Sequence, residues 1–195
     1  MSIYKEVVNE VGRLKVVYDE GYESPRDVND TLGKMVCFHN RYGLGDAHNN
    51  KISDFESWDE VCESILKTYG RNNIAVIMPL YLYDHSGLSI STTPYSCRWD
   101  SGQIGFIFAT KEDVRSNFKV KRVTSKLVER TREILLAEVE EYDSYLKGEV
   151  FGFILEDLEG NEIESFWGFI GTDSIKDMKD YIPEEYSELL EEVLK

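Results

Sequence analysis

Residues 124–146 carry the longest helical pattern in the chain. Leu127, Val128, Ile134, Leu135, Val139 and Tyr142 recur along one stripe, the spacing of a helix with a buried face. Thr124 or Ser125 is placed to cap its start, and Gly148 lies just beyond its end. A stripe of that length needs an apolar surface to cover it. The flanking sequence predicts strands at Arg13 to Tyr18, Lys34 to Phe38, Ile74 to Tyr83 and Ile104 to Ala109. Glu149 to Glu156 and Glu162 to Ile170 read as a hairpin around the turn Glu159-Gly160-Asn161. Pro79 cannot donate to a ladder, so a bulge or a bare edge is expected beside it. Ser57-x-x-Glu60 is a capping box, and Val61, Ile65, Leu66 and Tyr69 follow it at helical spacing up to Gly70. Thr110 and Asp113 frame a shorter helix to about Phe118, and Pro183 opens a terminal one bearing Tyr186, Leu189, Leu190 and Val193 on one face. Strands and helices do not alternate regularly. The expected class is therefore α+β, a mainly antiparallel sheet with one long packed helix and a C-terminal helix. One domain over 1–195 is expected, with 174–195 as an acidic helical appendage.

Hydrophobic residues make up 42% of the 195, enough for a core without disulfides or metals. Cys37, Cys62 and Cys97 are odd in number and form no CxxC pair, which fits reduced thiols in a cytoplasm. No basic start followed by an apolar stretch marks a signal peptide. The longest apolar run, Ile74 to Tyr83, is half of the ~20 residues a membrane helix needs, so no membrane partner is expected.

The net charge of −15 is unevenly placed. Residues 138–195 hold 4 basic and 18 acidic side chains, whereas 111–132 hold 8 basic and 3 acidic. An acidic face repels nucleic acid and attracts basic surfaces, including the grooves of nucleic-acid enzymes; a solvated face that keeps the chain in solution explains the same charge. Direct nucleic-acid binding through 111–132 stays open. Glu184, Glu185, Glu188, Glu191 and Glu192, together on the terminal helix, are the candidate binding residues for a basic partner. The long helix runs against its own dipole, with Lys126, Arg130 and Arg132 early and Glu138, Glu140, Glu141 and Asp143 late. Such a violation can mark a surface selected for a partner.

All three histidines fall in two polar, glycine-containing stretches, Phe38 to His48 and Tyr83 to Gly87; Trp99-Asp100-Ser101-Gly102-Gln103 has the same character. Each borders a predicted strand, where sites are often built. If the loops meet, His39, Asp46, His48, Asp84, His85 and Asp100 offer imidazoles and carboxylates for a metal or for acid/base work. Turn and cap hydrogen bonds account for Asp84, Ser86, Asp100 and Ser101 equally well. The candidate catalytic residues are His39, Asp84, His85 and Asp100. The His-x6-Asp-x-His spacing matches no dedicated metal motif, no phosphate-binding glycine loop is present, and neither a metal nor a cofactor can be named. Cys37 is expected to be a buried thiol.

Met35-Val-Cys-Phe-His39-x-Arg41-Tyr42-x-Leu-Gly45-Asp46-x-His48, Pro79-Leu-Tyr-Leu-Tyr-Asp84-His85-Ser-Gly87, Trp99-Asp-Ser-Gly-Gln103-x-Gly-Phe and Ser165-Phe-Trp167-Gly168-Phe together resemble a family of small proteins encoded by bacteriophages and other mobile elements. The resemblance spans residues 35 to 171 and carries over no catalytic residue. It implies a bacterial host cytoplasm and an accessory role against host defence, of the anti-CRISPR or antirestriction type. Two expectations follow. One is an inhibitor that binds a host protein, such as a nucleic-acid enzyme, through the acidic C-terminal third. The other is a hydrolase or metal-dependent nuclease that uses the His/Asp loops. Convergence of His39, Asp84 and His85 on one pocket favours the second, and their separation the first.

Overall fold

A computed structural model describes residues 1–195. Strands β1 (Ile3–Val8) and β2 (Arg13–Tyr18) lead into a one-turn helix α1 (Pro25–Val28) and strand β3 (Lys34–Cys37). Helix α2 (Trp58–Tyr69) precedes β4 (Ile74–Asp84), β5 (Leu88–Ser91) and β6 (Ser101–Thr110). Helices α3 (Lys111–Phe118) and α4 (Ser125–Leu146) follow, then β7 (Val150–Glu156), β8 (Glu162–Ile170) and the terminal helix α5 (Ser187–Val193). The class is α+β with antiparallel pairing throughout, one long helix and a C-terminal helix. No helix is long and apolar enough to cross a membrane.

The chain divides into two compact units, Met1–Glu23 with Ser144–Lys195, and Ser24–Asp143. The first holds a four-stranded sheet in the order β1-β2-β7-β8. Alternation along its two inner strands sends Leu14, Val16, Phe151, Phe153 and Leu155 into a core. Ile175, Met178 and Ile182, on and just after the 3₁₀ segment Thr172–Asp180, close that core with Leu189, Leu190 and Val193 of α5. Residues 174–195 are thus part of this unit and not an appendage, because their apolar periodicity gives them a face to bury. Between β7 and β8, Asp157 accepts the backbone N–H groups of Glu159 and Asn161, both at 2.8 Å. That Asx-type turn fixes the hairpin and holds the Asp157 carboxyl below the usual range, through its bonds to Asn161 first.

The second unit holds the sheet β3-β6-β4-β5. Phe106 and Phe108 on one face of β6 pack with Val61 and Ile65 of α2 and with Phe38. Gly105 lets β3 approach β6 closely, since a Cβ there would lie 1.9 Å from the Val36 carbonyl oxygen. Pro79 pairs with Phe106 on one side and lies past the end of β5 on the other, where nothing asks for its missing N–H. The register slips between Leu80 and Tyr81, so both expected accommodations of the proline are present. Ser57 and Thr110 cap α2 and α3 through the N–H groups of Glu60 and Asp113.

The polar side chains of helix α4 engage the 24–143 unit, which contains all but the last residues of the helix. Glu138 accepts the N–H of Leu32 at 2.6 Å and of Gly33 at 3.0 Å, and pairs with Arg26 at 3.1 Å. Tyr142 Oη accepts the N–H of Gly45 at 3.0 Å, and Asp143 accepts that of Ile90 at 2.7 Å. The Arg26 side chain is 1% exposed; it also pairs with Asp46 at 2.7 Å and donates to the Gly33 carbonyl at 2.6 Å. Removing one member of such a network strands an uncompensated charge in a dry interior. Arg26→Met and Glu138→Leu are each expected to cost about 3–5 kcal/mol, read as a fall in the urea midpoint. The exposed pair Arg130–Glu133, removed the same way, should cost under ~0.5 kcal/mol.

Candidate functional site

Three loops meet at the ends of β3, β4 and β6. His39, Arg41, Asp84, Trp99 and Asp100 line one open cleft of about 390 Å³ with Leu82, Ser101, Gly102 and Ile104. The backbone sets this meeting: Phe38 N–H donates to the Ile104 carbonyl at 2.7 Å, and Asp84 N–H to the Asp100 carbonyl at 2.8 Å. His39, Asp84 and Asp100 therefore share one wall system, although about 45 and 16 residues separate them in the chain.

Each imidazole of the site faces a carboxylate. Nδ1 of His39 accepts the backbone N–H groups of Arg41 and Tyr42, both at 3.3 Å. In the neutral ring its proton then sits on Nε2, which points at Asp84 Oδ2 from 4.0 Å. The ring stacks on Tyr42 at 5.0 Å between centroids and 14° between planes. The Arg41 guanidinium donates to the same Asp84 oxygen. His85 does not line the cleft; its side chain is largely exposed, with Nδ1 3.5 Å from Asp100 Oδ2. In the tautomer with the proton on Nδ1, Nε2 would carry the lone pair of a His–carboxylate dyad. Cys97 Sγ lies 3.5 Å from the same Asp100 oxygen. Trp99 is 95% exposed, a large apolar surface left in water beside a polar cleft.

Asp46 and His48 are not part of this arrangement. Asp46 binds Arg26 and accepts the Met35 N–H at 2.8 Å, so it serves the buried ion network. His48 Nε2 donates to the Cys37 carbonyl at 2.7 Å, and its ring packs on Phe38. Its Nδ1 is buried with no partner. Both line a larger hollow of about 660 Å³ formed by the 37–53 loop. His39 lines this hollow too, so the polar stretch does bring the three together there; the chain turns at Gly45, with a φ of 68°, and neither Asp46 nor His48 reaches the cleft of His39, Asp84 and Asp100. Arg41 and Trp99 are the site residues that were not singled out, though both stood inside the motifs. No three His, Cys, Asp or Glu side chains are grouped so as to hold a metal ion.

The five glutamates proposed for partner binding, Glu184, Glu185, Glu188, Glu191 and Glu192, are all exposed. Their unit carries 7 Lys+Arg against 19 Asp+Glu, net −12, while the unit 24–143 carries 15 against 18, net −3. The ion pairs of the acidic unit join Arg13 and Lys15 to Glu6 and Glu156, and leave the five glutamates uncancelled.

Comparison of the chain with protein-family models, with curated proteins and with solved structures finds no match.

Burial pushes the Cys37 thiol up to about 12, helped by the Asp46 charge. A thiol held there has almost no thiolate near neutral pH. Iodoacetamide is expected to alkylate Cys97 in the folded protein and to reach Cys37 only after denaturation, a difference readable by peptide mass mapping.

Proposed function

We propose that the cleft is a hydrolytic acid/base site acting on a phosphodiester that carries an aromatic base. The observation behind the reading is a cleft lined by His39, Arg41, Asp84, Asp100 and an exposed Trp99, in which His39 faces Asp84, while His85, outside the lining, faces Asp100 from 3.5 Å. In this scheme Asp100 orients His85, whose Nε2 takes the proton of an attacking water. The oxygen–phosphorus bond forms as the bond to the leaving alkoxide breaks. Negative charge that builds on the phosphoryl oxygens is met by the Nε2–H of His39 and by the Arg41 guanidinium. The proton held on His85 passes to the leaving oxygen, giving a phosphomonoester and an alcohol. Asp84 is a positioning residue that holds Arg41 and faces His39. Trp99 offers a stacking platform for the base, a contact worth about 1–3 kcal/mol. The chemistry asks for no metal, in keeping with the lack of grouped donors.

The experiment is cleavage of end-labelled single-stranded RNA and DNA in EDTA. Wild type should cleave at least one of them. His85→Ala should lower kcat about 10²–10⁴-fold, and Trp99→Ala should mainly raise KM. No cleavage of either polymer by well-folded protein, or full activity in His85→Ala, sinks the proposal.

A second reading rests on a separate observation, the uncancelled glutamates of a 3₁₀ turn (Glu184–Tyr186) and of α5, on a unit of net charge −12. As an accessory protein of a phage or mobile element inside a bacterial host cell, the chain would bind a basic host protein, such as a nucleic-acid enzyme, and inhibit it. Changing Glu184, Glu185, Glu188, Glu191 and Glu192 to Lys should then abolish capture of that protein, and wild-type capture should weaken steeply with salt. Capture that survives both treatments removes this reading and leaves the cleft unaffected.

A further inference from the structure

Within the acidic unit, Tyr18, Tyr22 and Tyr145 line a cavity of about 420 Å³ together with Ser2, Asp19, Glu20, Gly148 and Val150. We infer that it is a binding site for an organic cation, an alkylammonium or guanidinium group. The inference does not depend on the cleft of the other unit.

The walls are built by the sheet. Tyr18 ends β2, where its N–H donates to the Ser2 carbonyl at 2.9 Å and the next N–H, of Asp19, donates to the Val150 carbonyl at 2.8 Å. Its ring is held from two sides, 5.7 Å from Tyr4 and 5.3 Å from Phe151 between centroids. The Tyr22 ring lies over Gly168, so close that a Cβ there would come within 2.9 Å of it. Tyr145 enters from the last turn of α4, just before Gly148 reverses the chain with a φ of 74°. Two of the three rings are thus locked by packing before any ligand arrives, which lowers the ordering cost of binding.

The chemistry of the lining selects charge sign. Aromatic faces attract cations through their quadrupoles, and cages of several rings are the common receptor for quaternary ammonium groups. Asp19 and Glu20 add two carboxylates. Asp19 accepts the Gly21 N–H at 3.3 Å, and Glu20 accepts the Ser2 hydroxyl at 3.1 Å. Both bonds are to neutral groups, and neither carboxylate has an ion-pair partner. The surrounding unit, at net −12, raises the local concentration of cations further. An anion entering the cavity would meet the same groups as repulsion. The volume lies in the ~300–1,000 Å³ range of ligand pockets, more than a bare metal ion needs.

The test uses the full chain and two probes, tetramethylammonium and arginine amide, titrated at constant ionic strength against sodium chloride and followed by NMR of the tyrosine ring signals. Saturable shifts confined to Tyr18, Tyr22 and Tyr145 are expected with at least one probe. Tyr22→Leu should weaken binding about fivefold, and Tyr22→Phe, which keeps the ring, should retain most of it. Asp19→Asn with Glu20→Gln should weaken it and flatten its salt dependence. Circular dichroism checks that each variant folds. Should Tyr22→Leu unfold, Tyr145→Leu replaces it with the same expected loss. No saturable shift in wild type, or equal affinity in folded variants that lack a ring, overturns the inference.

Discussion

The guanidinium of Arg26 organises the 24–143 unit. It lies on the one-turn helix α1, buried, and reaches Asp46 in the loop after β3, Glu138 in the middle of α4, and the carbonyl of Gly33. Each carboxylate also takes backbone donors, Met35 for Asp46 and Leu32 with Gly33 for Glu138. The network therefore satisfies both charges and the irregular backbone ahead of β3, which no strand or helix partner could satisfy. Burying Arg26 and Glu138 costs several kcal/mol in desolvation for each, less for the partly exposed Asp46, and only near-complete hydrogen bonding offsets it. The gain is placement, because β3 and the loop that follows it carry Cys37, His39 and Arg41 toward the cleft. A hydrophobic substitute for the triad could match its stability and would leave those backbone groups without partners.

The same network explains the helix that runs against its dipole. Acidic residues in the second half of α4 looked like a surface kept for a partner. Glu138 and Asp143 instead point inward and act as acceptors for the chain packed on the helix, and Asn29 donates to Glu141 at 3.2 Å. Burial first, then the neighbouring Glu138 charge, raises the Glu141 carboxyl, with Arg26 acting in the opposite sense. A raised carboxyl binds its proton more readily in the folded state, so Glu141 opposes folding at neutral pH, and that cost is relieved as pH falls through its folded value. Asp113 has the opposite sign. Burial pushes it up, but bonds from Lys34 and Thr110 outweigh that and hold it low. Its contribution is present above the unfolded carboxylate range and is lost as pH falls through the lowered value.

What could be read from the sequence was local. Ser57, Thr110, Gly160 with Asn161, and Pro79 each act on neighbours a few residues away, and each does what its chemistry predicts. Strand β1 was missed because Ile3–Val8 alternates only weakly and is exposed along most of its length, an edge with little apolar signal. The 3₁₀ segment Thr172–Asp180 lies among acidic residues that hide Ile175 and Met178. The meeting of His39, Asp84 and Asp100 at one cleft was legible because glycine-flanked polar loops at strand ends tend to be brought together there. Asp46 was misassigned because its partners, Arg26 and the Met35 N–H, lie 20 and 11 residues away and leave no trace in local pattern.

The order of the units along the chain has a kinetic meaning. Strands β1 and β2 are made first, yet β2 pairs with β7, and the residues between them form the other unit. During synthesis at about 5–20 residues per second, the 24–143 segment can complete its own sheet while the opening hairpin still lacks the inner partner of its sheet. For those seconds Leu14, Val16 and Val17, wholly buried in the finished protein, are exposed on a two-stranded ribbon, which is marginal in water on its own. The waiting hairpin carries Lys5, Arg13 and Lys15 among its apolar residues, charges of the kind that keep a bare strand edge from joining another chain. Residues that end up in salt bridges, Arg13 and Lys15, or on a backbone carbonyl, Lys5, thus act earlier as guards of a nascent edge.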